Sequence, residues 1–262
     1  MADVAAVLLA AGCSTRFGAK NKLLAEIGGR PLIRVVAETI LEAPIPEIVV
    51  VTGYDQRPIE RALDGLQLRF THNPDWAKGM GSSIAVGVSS VDADVDGCFI
   101  LPGDMPLLLP ALLELLIEEF ARAQEMPIIV PVTTSGGQRN PVLWPRRFFG
   151  LLTALSGPEA GKRPLSALTH CRKDIPVLDD LVFADIDTAD DLARWSLSSI
   201  QSEVWGRDVP TYQYRCERCG KSFELIETIS EHEKAKAKCP KCDSKKVTQV
   251  PGRVHVVTSK KS

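Results

Sequence analysis

Arg16 and Lys22 lie in a stretch, residues 9–24, that reads LAAGCSTRFGAKNKLL and holds no acidic side chain; the first comes at Glu26. Bare backbone and fixed positive charge in one loop suit a polyphosphate. Small residues such as Ala10, Ala11 and Gly12 let N–H groups approach the anion, and Arg and Lys neutralise its charge. Attack on the α-phosphorus of a nucleoside triphosphate brings negative charge to negative charge, and Mg²⁺ held by carboxylate oxygens relieves that repulsion. Asp104 and Asp187 are the best carboxylate candidates, each placed after an apolar run: Leu101-Pro102-Gly103-Asp104 and Ala184-Asp185-Ile186-Asp187. Taken alone, Asp104 is better read as a turn former among Gly and Pro, and Asp187 equally well as a helix N-cap.

These groups need a scaffold, and the hydrophobic pattern supplies one. Residues 4–9 are a continuous apolar run, read as a buried strand, and residues 31–41 carry helical spacing, so the cationic loop sits between strand and helix. Strands are expected at 47–52, 66–71, 97–101, 127–132 and 182–186, with a short apolar piece at 142–144. Helices are expected at 56–63, 82–89, 110–123, 146–155 and 188–200, the last capped by Thr188 or Asp187. Alternating strands and helices predict an α/β, Rossmann-like domain with a mostly parallel sheet covered on both faces. Ligands in such sheets lie beyond the carboxyl ends of the strands. The first loop, the Thr52-Gly53 turn and the Gly103-Asp104 turn all follow strands and are expected to share one rim.

Two commoner phosphate loops are excluded. A Walker loop needs four residues between its glycines and a Ser or Thr after the Lys. Here five separate Gly12 from Gly18, and Asn21 follows Lys20. The Gly-x-Gly-x-x-Gly dinucleotide fingerprint is absent. The N-terminal apolar run is too short for a signal peptide and lacks a basic lead, and no run is long enough for a membrane span. A cytoplasmic protein with no membrane partner is therefore expected. His72 and His170 could act as general bases, but a lone histidine is more often structural.

The cationic stretch as a whole resembles the L-A-A-G-x-S-x-R-F-G-x-x-N-K-L-L signature of the MobA-like nucleotidyltransferases, and is most similar to their molybdenum cofactor cytidylyltransferase branch. The guanylyltransferase branch more usually has Gly at the position of Ala11 and Asp at that of Asn21. Gly103-Asp104-Met105-Pro106 matches the family's G-D-M-P and Asp185-Ile186-Asp187-Thr188 its D-I-D-T. The resemblance thus implies Asp104 and Asp187 as Mg²⁺ ligands. It implies Arg16 on the β- and γ-phosphates and Lys22 beside the reacting phosphoryl group, which makes Arg16, Lys22 and Asp104 the expected catalytic set. Leu9, Ala10, Ala11, Gly12, Thr52, Gly53, Pro102 and Gly103 are then expected to bind nucleotide. His72-Asn73-Pro74 and Gly79-Met80-Gly81-Ser82-Ser83 resemble the segment that contacts base and ribose, through Asn73, Gly79 and Ser83. Asn140 and Pro141 resemble the acceptor loop, although Arg139 replaces its usual Gly. Residues 159–163 depart likewise, with Glu159 for Asp and Lys162 for Ala. The departures fall on the acceptor half. The implied reaction is Mg²⁺-dependent transfer of CMP from CTP to the phosphate of Mo-molybdopterin, with a molybdoenzyme or its chaperone receiving the product.

The C-terminal part is a different unit. Residues 208–262 hold twelve Lys and Arg against seven Asp and Glu, so the net charge of −2 conceals a basic tail of +5 on an acidic body of −7. Cys216, Cys219, Cys239 and Cys242 form two C-x2-C knuckles with 19 residues between them. That spacing fits a four-thiolate structural Zn²⁺ site, which can fold a unit too small for its own core. Residues 210–216 and the second knuckle resemble the FmdB-type zinc ribbon. The expected division is a transferase domain over 1–200, a linker over 201–209, the ribbon over 210–258 and a tail over 259–262. Lys241, Lys245, Lys246 and Arg253 offer charge to nucleic acid or an acidic partner, and suit a solvated face better. Two rivals stand beside this reading: transfer from GTP or to another phosphorylated acceptor, and a nucleotide-binding regulatory protein acting through its ribbon. The complete set Arg16, Lys22, Asp104 and Asp187 speaks against the second.

Overall fold

The structure, a computed structural model, describes residues 2–14, 17, 21–123, 125–158, 162–194, 211–226, 238–242 and 244–250. Strand β1 (Val4–Ala10) is buried along its whole length. Its side chains alternate between two cores: Val4, Ala6, Leu8 and Ala10 enter one, and Ala5, Val7 and Leu9 the other. A strand covered on both faces has no solvent side, which is why the run is apolar throughout. A small hairpin, β2 (Glu26–Ile27) and β3 (Arg30–Pro31), leads into helix α1 (Leu32–Leu41). Then come β4 (Glu47–Thr52), α2 (Gln56–Ala62), β5 (Arg69–His72), α3 (Met80–Ser89), β6 (Gly97–Pro102), α4 (Pro110–Arg122) and β7 (Ile128–Val132). The body continues with β8 (Val142–Pro145), α5 (Phe149–Thr153), α6 (Lys162–Ala167), β9 (Arg172–Pro176) and α7 (Ala189–Arg194).

Seven strands form one sheet in the order β5-β4-β1-β6-β8-β7-β9. Strands β4 and β6 flank β1 in parallel, and β8 alone runs antiparallel to both its neighbours, β6 and β7. On one face α1, α2 and α4 bury Ile33, Val36, Ile40, Ile59, Leu113 and Phe120 against the sheet. On the other face Ile84 and Val88 of α3, Leu152 of α5 and Leu165 of α6 do the same. Each such side chain contributes about 1.5–3 kcal/mol by leaving water. The mostly parallel α/β expectation is met, and helix and strand positions from 31 to 132 agree with the pattern to within a few residues.

Two expectations are corrected. Residues 182–186 are not a strand. Asp179 accepts a hydrogen bond from the Leu181 N–H at 3.0 Å and starts a 3₁₀ turn over Asp180–Phe183. Val182 and Phe183 are adjacent and both buried in the same core, whereas successive side chains of a strand point to opposite faces. The sheet instead ends at β9, whose opening Arg172, Lys173 and Asp174 disguise it; charged side chains on an edge strand block pairing with other chains. The expected helix 146–155 is a 3₁₀ turn, Arg146–Phe148, followed by the short α5. Helix α7 is capped by Thr188, whose hydroxyl accepts from the Asp191 N–H while the Asp191 carboxylate accepts from the Thr188 N–H at 2.9 Å, a reciprocal capping box. The rest of that expected helix, 195–200, lies outside the described residues, as do the expected linker 201–209 and tail 259–262.

In the C-terminal unit β10 (Thr211–Cys216), β11 (Ser222–Ile226) and β12 (Val247–Val250) form an antiparallel sheet with β10 in the centre. Tyr214 and Phe223 stack with ring centroids 5.8 Å apart and are buried with Cys216 and Cys239. So small an apolar cluster calls for metal support.

Candidate active site

The loop after β1 is tied together by Asn21, which is 3% exposed. Its side-chain oxygen accepts from the Ser14 hydroxyl at 3.2 Å and from the Leu23 N–H at 3.1 Å, so both ends of the loop hang on one amide. The Leu23 bond opens a 3₁₀ turn, Lys22–Leu24, which sets the stem of Lys22. Residues 15, 16 and 18–20 lie outside the described residues, and the expected phosphate ligand Arg16 is among them. Gly12 is exposed at the start of the loop, directly after the buried Leu9, Ala10 and Ala11.

Neighbouring strands deliver the other pieces to the same rim. The Gly103 N–H donates to the Leu9 carbonyl at 3.1 Å, and the Tyr54 N–H donates to the Ala11 carbonyl at 3.1 Å. Glycine is needed at both approaches. A Cβ on Gly103 would stand 2.7 Å from Ile33 Cδ1 and 2.9 Å from the Leu9 oxygen, and one on Gly53 would stand 2.6 Å from Trp76 Cβ. The chain from β9 then returns across this rim, where the Ile186 N–H donates to the Asp104 carbonyl at 3.0 Å. Asp104 and Asp187 are thereby brought together.

Between them stands Lys22. Its Nζ lies 2.6 Å from Asp104 Oδ2 and 2.7 Å from Asp187 Oδ1. The Lys22 and Asp104 side chains are 15% and 17% exposed, Asp187 41%. Burial opposes the Lys22 charge, but the Asp104 and Asp187 carboxylates together outweigh it and hold the ammonium above its ordinary pKa. Burial pushes the Asp104 carboxyl up, and Lys22 pulls it only part of the way back. The cluster therefore holds a firmly charged lysine and a carboxylate that gains from a stronger cation than an ammonium.

The residues fit Mg²⁺. Two hard oxygen donors converge on one centre. The second oxygen of Asp104, Oδ1, is buried with no hydrogen-bond partner among the described residues. Hard carboxylate oxygens of this kind are the donors that Mg²⁺ prefers.

Along the rim from Asp104, Asn73 is fully buried and all its side-chain atoms are used within the protein. Its amide nitrogen donates to the Ser82 and Ser83 hydroxyls at 3.0 Å each, its oxygen accepts from the Asp75 N–H, and its own N–H donates to the Thr52 carbonyl. Asn73, Thr52 and Ser83 thus fasten the ends of β4 and β5 to the start of α3. Gly79, at φ 114°, and Gly81 let that helix start lie on the backbone of Gly157. On the opposite side of Asp104, the loop between β7 and β8 carries Asn140, exposed, and Pro141, buried. Because β7 runs parallel to β6, this loop leaves the sheet at the same rim as Pro102 and Gly103.

The residue pattern left out an aromatic pair. Tyr54 and Trp76 meet at 5.3 Å between centroids with planes tilted by 60°, beside Ala11 and Gly53, and Tyr54 is 38% exposed. Their positions, one after Gly53 and two after Pro74, are the sequence signal that could have found them.

The four cysteine sulfurs of the C-terminal unit lie within 4.8 Å of one another. Cys216 and Cys242 are 3.6 Å apart and Cys219 and Cys239 3.5 Å, close to the roughly 3.8 Å edge of a tetrahedron with Zn–S bonds of about 2.3 Å. Burial pushes the Cys216 thiol up, but the N–H groups of Cys219 and Arg218 overcome this and bring it down to about 6; the Ser244 N–H favours the Cys242 thiolate, but burial and the other three sulfurs push that thiol up to about 12. The donor set fits structural Zn²⁺.

Comparison with known proteins agrees with this division. Residues 6–173 match the family described as "MobA-like NTP transferase domain", and residues 210–251 match "Zinc ribbon domain". A protein of Natronomonas pharaonis named "Probable molybdenum cofactor guanylyltransferase" is 31% identical over 214 residues, covering 74% of this chain and 97% of that one. "Bifunctional protein GlmU" of Sorangium cellulosum is 35% identical over 130 residues; the match takes in 47% of this chain and only 27% of the length of that relative. Among solved structures, the homologue of Mycobacterium tuberculosis Rv0371c from Mycobacterium sp. strain JC1 superposes with a TM-score of 0.64 at 27% identity, over 76% of this chain and 98% of that one. Among the described residues no helix is long and apolar enough to cross a membrane.

Proposed function

The chain belongs to the MobA-like NTP transferase family, and from that premise we propose that this nucleotidyltransferase moves CMP from CTP to the terminal phosphate of Mo-molybdopterin. The products are molybdopterin cytosine dinucleotide and diphosphate. The observation that carries the reading is the convergence of Asp104 and Asp187 on Lys22, at the end of a loop built to hold phosphate. In it, Asp104 and Asp187 would hold Mg²⁺, which would draw charge from the polyphosphate. The protein's own residues do the rest. The backbone of residues 9–12 lies along the nucleotide, Arg16 takes the departing diphosphate, and Lys22 offers its ammonium to the phosphoryl group under attack. Tyr54 and Trp76 provide aromatic surface beside that loop for the base. Asn140 and Pro141 face the acceptor from the other side of Asp104.

The choice of CTP rests on Ala11 and Asn21 within the loop. The use of GTP is the second reading, supported by the guanylyltransferase name of the Natronomonas relative. Diphosphate release measured with each of the four nucleoside triphosphates, with and without molybdopterin, tests both. Release that is fastest with CTP and requires molybdopterin bears out the first; preference for GTP transfers the assignment to the second; indifference to molybdopterin removes the acceptor.

A further inference from the structure

We propose that Lys22 is the resident cation of the metal site: without nucleotide its ammonium occupies the place of the divalent ion, so the protein takes up metal only together with a polyphosphate. This rests on the reading that Asp104 and Asp187 are the metal carboxylates.

The geometry is specific. One nitrogen lies 2.6 Å and 2.7 Å from oxygens contributed by two distant segments, which is the meeting point that a shared metal would use. Ammonium and metal exclude each other there, because they need the same two oxygens and carry like charge. A metal arriving alone would force Lys22 out with no other partner, since among the described residues its only ion-pair partners are these two carboxylates. A nucleotide changes the balance. Its phosphates give the displaced ammonium an acceptor, and the lysine stem needs only to swing from carboxylates to phosphates. Lys22 is also an incomplete substitute, for it leaves Asp104 Oδ1 buried and unpartnered. The site is thus held closed by the lysine and favours the metal once the lysine has somewhere to go. Burial of Lys22 and Asp104 strengthens this exclusion relative to an exposed pair.

The test is Mn²⁺ binding to the full-length, zinc-loaded chain, followed by electron paramagnetic resonance with no turnover involved. The wild-type chain is expected to bind Mn²⁺ weakly alone and tightly with CTP. Lys22→Met is expected to bind Mn²⁺ without nucleotide at least about tenfold more tightly than wild type, the scale on which one neighbouring charge shifts ion binding. Lys22→Arg, which keeps the charge, is expected to restore exclusion. Should Lys22→Met be destabilised by its two facing carboxylates, its melting temperature is expected to rise with Mn²⁺ while that of wild type stays put. Equal nucleotide-free affinity in wild type and Lys22→Met, or no Mn²⁺-dependent rise in Lys22→Met, overturns the proposal and leaves the metal reading standing. Absence of Mn²⁺ binding in every variant, with CTP present, removes the metal reading and the proposal together.

Discussion

The N–H of Ile186 donates to the carbonyl oxygen of Asp104 at 3.0 Å, and through that bond a segment more than eighty residues downstream is held against the end of β6. The neighbouring side chains then complete the arrangement: the Asp187 carboxylate shares the Lys22 ammonium with Asp104. The backbone sets the separation of the carboxylates before any ligand is present, which is what preorganisation for a charged transition state requires.

Asp104→Asn keeps the shape of the side chain and removes its charge. Turnover, followed by diphosphate release, is expected to fall by about 10²–10³. Thermal stability is expected to stay near wild type. Burial already disfavours the Asp104 charge, and Lys22 retains Asp187. A large stability loss with proportionate activity loss would make Asp104 a structural residue instead.

Gly103→Ala places a methyl group against Ile33 Cδ1 and the Leu9 carbonyl. The backbone must shift to relieve it, at about 1–3 kcal/mol. Denaturant unfolding is expected to show that loss. Because the same shift moves Asp104, turnover under conditions where the variant is fully folded is expected to fall as well.

Trp76 stands beside Ala11 and Gly53 and in contact with Tyr54. Titration with CTP is expected to quench tryptophan fluorescence, and Trp76→Phe to reduce that quench, since Trp76 lies beside the loop whereas Trp144 is 1% exposed in the core. Trp76→Ala is expected to weaken nucleotide binding by about 1–3 kcal/mol, the usual worth of one stacked base. Quenching that survives in Trp76→Phe would move the base elsewhere.

Cys98 is fully buried in β6, and burial, with Glu47 nearby, pushes its thiol far above the ordinary value. The unfolded chain therefore releases this proton at lower pH than the folded one. Stability from Cys98 is full below about pH 8.5 and is lost as pH rises, by up to about 1.4 kcal/mol per pH unit. Unfolding free energies measured between pH 8 and 10 are expected to fall less steeply in Cys98→Ala than in wild type. Thiol reagents are expected to reach Cys98 only on unfolding.

Removal of zinc is expected to unfold the C-terminal unit and spare the body. Structural zinc sites bring about 10–16 kcal/mol, far more than the packing of Tyr214 on Phe223. Hydrogen exchange after chelation is expected to lose protection in β10 and β11 and keep it in β1 and β4. Loss of protection in both units at once would show that they fold as one.

Much of the molecule was legible in its residues because local physics wrote it there. The uninterrupted apolar run of β1 requires two covered faces, and small residues with fixed positive charge behind it mark the loop as a candidate for an anion. The paired C-x2-C knuckles require a metal, whose four sulfurs do converge. Two stretches misled for equally physical reasons. Residues 182–186 are apolar because they cover a core in a 3₁₀ turn, while β9 opens with charges because it is an edge. Pattern reports burial, and burial does not specify which element achieves it.

The candidate residues for phosphate and metal were thus a property of the chain, set by residue type, spacing and family resemblance. Their relation was not. That Lys22 reaches Asp104 and Asp187 at once, that Asn73 spends its amide on Ser82 and Ser83, and that Trp76 covers Gly53 depend on strand order and on a return crossing of the rim. These are contacts between different elements, and those of Lys22 span much of the chain. No local preference encodes them, and only the packing of the whole sheet brings the groups within the few ångströms over which their charges act.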